Sequence, residues 1–142
     1  MLKIDFHHHV NNRLVYACQV AQTLLRRHLT VAFWTRDRNR LARLDHLLWT
    51  IDPNTFLPHA FCDAPIADDT PILLSTQLDQ LHADVLVLLD DHLPDQWERI
   101  FPRYQRIIDI VSVDEKELRL SRARYRAYKR SGIELAAYDR RH

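Results

Sequence analysis

The chain has one glycine in 142 residues, Gly132, and none before it. That scarcity removes whole classes of chemistry. A phosphate-cradling loop needs glycines so that the backbone can approach its ligand, so neither a P-loop nor a dinucleotide fingerprint can be written here. No nucleophile-elbow glycines support a Ser/His/Asp triad. Cysteine is scarce as well: Cys18 and Cys62 fit no disulfide framework or metal spacing, which points to a reduced, cytoplasmic setting. No run approaches about 18 consecutive apolar residues, so no membrane span is expected. The opening MLKIDFHHHV lacks the segments of a signal peptide. Net charge is almost nil, 20 Lys and Arg against 19 Asp and Glu, which argues against a dedicated duplex-binding protein.

What is present suits one α/β domain over residues 1–142, long enough to bury roughly two thirds of its unfolded surface. Strands are expected at Leu2–Phe6, Val31–Thr35, Pro71–Ser75, Asp84–Leu89 and Arg106–Val113. Helices are expected at Arg13–Arg27 behind an Asn11 or Asn12 cap, at Arg38–Trp49, at Pro94–Phe101 and at Asp114–Ser131. Four of the six prolines fall in Asp52–Pro71, which reads as a long ordered loop. DVLVLLDD is apolar throughout, as a central strand covered on both faces would be. The alternation implies a mostly parallel sheet with helices on both faces.

Three sets of residues invite chemical readings. Asp90, Asp91 and His92 at the end of VLVLLDD could ligate magnesium in a phosphohydrolase or nuclease, although polar residues ending a buried strand explain them more simply. Cys18 lies on an apolar helix stripe and reads as core rather than nucleophile. Of nine histidines, His7, His8 and His9 are consecutive; in a strand they would alternate between faces and could not all bind one metal. No metal and no cofactor is expected.

The last helix is the most distinctive element. In DEKELRLSRARYRAYKRSG acids lead (Asp114, Glu115, Glu117) and bases follow (Arg119, Arg122, Arg124, Arg126, Lys129, Arg130), the order the helix dipole favours. Gly132 supplies the left-handed residue that ends it. At about 100° per residue, Arg122, Tyr125, Arg126 and Lys129 share one arc, with Leu118 beside them. Leu120, Ala123 and Ala127 share the opposite arc and are expected to pack on the core. Guanidinium groups around an aromatic ring can hold a peptide or nucleotide that is both anionic and apolar. Direct binding of single-stranded nucleic acid through Tyr125, Tyr128 and the arginines is an alternative, since bases stack on aromatics. A second surface candidate is LDHLLWTIDPNTFLPH (Leu44–His59), where Trp49 and Phe56 either tuck over the core or are displayed to a partner.

LDHLLW…FLPH, IIDIVSVDE and LSRARYRAYKRSGIEL together resemble the chi subunit of bacterial DNA polymerase III, over about Leu14 to Leu135. The resemblance implies a Rossmann-like three-layer domain without a nucleotide site, and a non-catalytic accessory protein of the replicase. It further implies two partners. The psi subunit would dock on Trp49, Phe56, Leu57 and Pro58 and so connect the protein to the clamp-loader complex. The C-terminal tail of single-stranded DNA-binding protein (SSB), acidic and ending in phenylalanine, would bind Arg122, Tyr125, Arg126 and Lys129, with Val111 lining the apolar side. Contact with DNA would be mainly indirect. The loop Phe61–Thr70 lacks the glycines often found there in the family, and the N-terminal histidine run carries nothing over.

Overall fold

The computed structural model describes residues 2–52, 54, 57–64 and 70–141. Its centre is a seven-stranded sheet in the order β3-β4-β2-β5-β6-β1-β7, with every neighbouring pair parallel. The strands are β1 (Lys3–Val10), β2 (Val31–Trp34), β3 (His59–Phe61), β4 (Ile72–Ser75), β5 (Val85–Leu88), β6 (Arg106–Ser112) and β7 (Glu134–Asp139). The helices are α1 (Arg13–Arg26), α2 (Arg38–Thr50), α3 (Trp97–Ile100) and α4 (Glu115–Ser131). No described helix is long and apolar enough to cross a membrane.

Strand alternation divides the core into two layers, because successive side chains point to opposite faces. Val31, Phe33, Ile72, Leu74, Val85 and Val87 face α1 and α2, meeting Ala17, Cys18, Ala21, Leu41, Leu44 and Leu48. Ala32, Trp34, Leu73, Leu86, Leu88 and Ile107 face the other way, toward Phe101 and Tyr128 on the side of α3 and α4. The fold is therefore the expected three-layer Rossmann-like arrangement. Burial pushes the Cys18 thiol up to about 11, so it is a core side chain and not a thiolate nucleophile.

Caps set the helix starts. Asn12 accepts from the Leu14 and Val15 amides, Asp37 from Arg40, and Asp114 from Glu117. Gly132, at φ 80°, ends α4 in the left-handed conformation its lack of a Cβ allows.

Two strands escape the sequence pattern. β3 is three residues inside the proline-rich stretch, so that stretch is not wholly loop. β7 follows Gly132, and its Ala136 and Ala137 carry little β-propensity; pairing with β1 decides its conformation.

Candidate partner surfaces and the filled strand ends

In an open α/β sheet, ligands bind beyond the carboxyl ends of the strands where successive connections diverge to opposite faces. Here β2 leads to α2 on one face while its neighbour β5 leads to α3 on the other, which opens such a crevice between them. Asp90 fills it. Its Oδ1 accepts from the Thr35 hydroxyl and the Arg36 amide, each at 2.8 Å, and its Oδ2 from Arg36 Nη2 at 3.0 Å and the His92 amide at 3.1 Å. Burial alone would raise the Asp90 carboxyl, but the Arg36 amide, Thr35 hydroxyl and His92 amide outweigh it and hold the group below its ordinary value.

A second divergence, between β6 and β1, is filled by Arg13 at the start of α1. Its Nε donates to the Ile110 carbonyl at 2.7 Å, Nη2 to the Asp90 carbonyl at 2.9 Å, and Nη1 to Asp91 Oδ1 at 3.1 Å. Arg40 donates to the Leu89 carbonyl and pairs with Asp91 at 3.7 Å. Arg124 of α4 reaches the Asp91 carbonyl at 2.6 Å. The magnesium reading of Asp90 and Asp91 is thereby corrected: their carboxylates are already paired with arginines, a hydroxyl and amides. Nothing in the sequence pattern announced Arg13, whose role depends on where α1 begins relative to β5 and β6.

The terminal helix packs through a different stripe from the one its composition suggests. Ser121, Arg124 and Tyr128 are its buried residues, whereas Ala123 is exposed and Leu120 and Ala127 are half-buried. The cause lies on the sheet. Asp109 of β6 points into the α4 side with no exposure, and needs a cation and donors there. Arg124 supplies two parallel hydrogen bonds, at 2.9 and 3.0 Å, and the Tyr128 hydroxyl donates a third. Burial pushes the Tyr128 hydroxyl well above its ordinary value, reinforced by the Asp109 charge. Tyr128 is thus unavailable for stacking, which corrects its place in the nucleic-acid reading.

The predicted basic face nevertheless exists as a surface. Arg122, Arg126 and Lys129 are exposed, and Tyr125 is half-buried between them and the core. Its ring meets Phe6 edge-on at 5.2 Å, while Lys129 Nζ lies 5.9 Å from its centroid. Val111 departs from the expectation. It is fully buried in the cluster against which Leu118 and Tyr125 pack, so it lies beneath the face and does not line it.

The other surface is centred on Trp49, at the end of α2, which is 57% exposed. Its ring lies 4.7 Å from that of His59. His59 is itself fixed: Nδ1 donates to the Leu57 carbonyl at 2.7 Å, and Nε2 is 3.0 Å from Asp45 Oδ1. Pro58 is half-buried beside it. Leu57 is a second departure, since its side chain belongs to the core on the α1 and α2 side. Phe56 lies outside the described residues, as do 65–69 within the glycine-free loop.

A family model described as DNA polymerase III chi subunit, HolC, matches residues 1–136. DNA polymerase III subunit chi of Haemophilus influenzae is 27% identical over 122 residues, covering 84% of this chain and 82% of that protein. The subunit of the same name from Pseudomonas aeruginosa is 26% identical, covering 87% and 83%. That from Escherichia coli is 23% identical, covering 83% and 79%.

Proposed function

Because the chain belongs to the DNA polymerase III chi subunit family, we propose that it is a non-catalytic adaptor of the replicase, holding the SSB tail on one side and the psi subunit on the other. The observation that carries the first contact is Tyr125, half-buried against Phe6 and flanked by exposed Arg122, Arg126 and Lys129. An acidic peptide ending in phenylalanine offers a carboxylate for a guanidinium and a ring for the phenol to pack against. Arg119 and Arg130 add long-range attraction for the acids upstream, a contribution that salt screens.

Trp49 supports the second contact. A large aromatic displayed at a helix end, braced by a hydrogen-bonded histidine, has the character of an interface anchor. The two surfaces belong to opposite layers, α4 on one side of the sheet and α2 on the other. This arrangement favours simultaneous binding, and with it a bridge from the clamp-loader complex to SSB-coated template in the cytoplasm.

The test is binding of a synthetic SSB tail, intact and without its final phenylalanine. The intact tail is expected to bind in a salt-sensitive manner and the shortened one to lose most affinity. Equal binding of the two would reject the socket. Bare single-stranded oligonucleotide serves as the competing ligand; if it bound as well as SSB-coated strand, direct nucleic-acid binding would replace the adaptor reading.

A further inference from the structure

Neither partner surface uses the run His7–His9, and its geometry is not that of a regular strand. Pairing of β1 with β6 changes register between His7 and Val10, and His9 has φ 63°, in the left-handed region. The irregularity cancels the alternation that would send neighbouring side chains to opposite faces. His7 stays with Tyr16 and Tyr138, its ring stacked 4.9 Å from the latter. His8 and His9 instead turn toward each other, with their Nδ1 atoms 2.7 Å apart. On the adjoining strand Asp139 is the register partner of His8, and its Oδ1 lies 3.3 Å from His9 Nδ1. One ligand atom from each of the three residues falls within 4.8 Å of the others.

We propose that His8, His9 and Asp139 form a binding site for a divalent transition-metal ion of the zinc type, with water completing its coordination. Two imidazoles and one carboxylate suit zinc or cobalt better than magnesium or calcium, which favour all-oxygen shells. Tetrahedral zinc with bonds of about 2.0–2.1 Å places two nitrogens about 3.3 Å apart, so the rings need separate only slightly. The backbone already holds the two strands together at this level, the Arg140 amide donating to the His8 carbonyl at 2.9 Å. Without an ion, the facing Nδ1 atoms can share only one proton between two lone pairs; a cation uses both lone pairs at once.

Arg141 is the competitor. It pairs with both Asp139 oxygens, at 2.9 and 3.1 Å through Nε and 2.5 Å through Nη2. Both side chains are exposed, and such pairs are weak, so the guanidinium can yield to a coordinating ion. A bound ion would tie the carboxyl end of edge strand β7 to β1.

The experiment titrates the metal-free full chain with Co²⁺, followed by visible absorption, and with Zn²⁺, followed by calorimetry, at neutral pH. One ion per chain is expected, with increased hydrogen-exchange protection of the Glu134–Asp139 amides. His8→Ala and Asp139→Asn should each weaken binding about tenfold or more by removing a ligand. His9→Asn should do the same, and asparagine tolerates the left-handed backbone. Arg141→Ala should tighten binding by releasing the carboxylate, and His82→Ala, at an exposed histidine elsewhere, should change nothing. Absence of stoichiometric binding, or binding that survives loss of both His8 and His9, would overturn the proposal. So would weaker binding in Arg141→Ala.

Discussion

Arg124 and Asp109 form a two-pronged ion pair between α4 and the central sheet, with the guanidinium 3% exposed and the carboxylate not at all. Burial works against the Arg124 charge, yet the Asp109 carboxylate outweighs it and keeps the guanidinium protonated. Removing one member strands the other in a dry interior. Arg124→Ala is therefore expected to destabilise the fold by about 3–5 kcal/mol, measured by urea unfolding. The triple variant Arg124→Met, Asp109→Leu, Tyr128→Phe removes charge and donors together and should recover most of that loss. If Arg124→Ala unfolds like the wild type, the pair does not anchor the helix.

Arg122, two residues before Arg124 in sequence, is exposed where Arg124 is buried. Arg122→Ala should leave stability unchanged and weaken SSB-tail binding by about 1.5–3 kcal/mol, the range for a hydrogen bond to a charged group. Titration calorimetry of the tail peptide at low and high salt checks both magnitude and screening. Unaltered affinity would remove Arg122 from the socket.

Trp49→Ala should weaken psi docking by about 2 kcal/mol or more, as loss of a central aromatic anchor does. Its exposure predicts little change in melting temperature. Because α2 and α4 lie on opposite sides of the sheet, Trp49→Ala should leave tail binding intact and Arg122→Ala should leave psi binding intact. A mixture of all three components should migrate as one complex on gel filtration. Mutual exclusion of the two partners would contradict the opposed placement.

Acid sensitivity should arise in part from His7. Burial, aided by the Arg140 charge, pulls its imidazole down to about 4. The unfolded chain then takes up the proton at a higher pH than the folded one. The stability contributed by neutral His7 is present above about pH 6.5 and is lost as pH falls toward 4. His7→Gln, which keeps a polar partner for the Tyr16 hydroxyl but does not titrate, should flatten the stability profile across that window. An identical profile would show that His7 does not contribute to it.

Much of the fold could be read from the chain because its strands are short β-branched runs and its helices carry clear apolar stripes with good caps. β7 could not, since two alanines between half-exposed neighbours state no preference until β1 is alongside. The face of α4 was legible only in part. Arg122, Tyr125, Arg126 and Lys129 do share an accessible arc, but helical geometry alone did not reveal that a charged residue on the sheet would draw Arg124 inward. Leu57 and Val111 show the same limit. Both belong to segments that reach a surface, while their own side chains point beneath it.

The arginines that occupy the strand ends have a practical consequence. Compounds shaped like nucleotides, which settle in that crevice in many relatives of this architecture, would meet side chains already hydrogen-bonded to the backbone they would have to displace. On the proposed function, an antagonist of this protein would do better to imitate a short carboxy-terminal peptide lying along a helix than to seek a hole in the sheet.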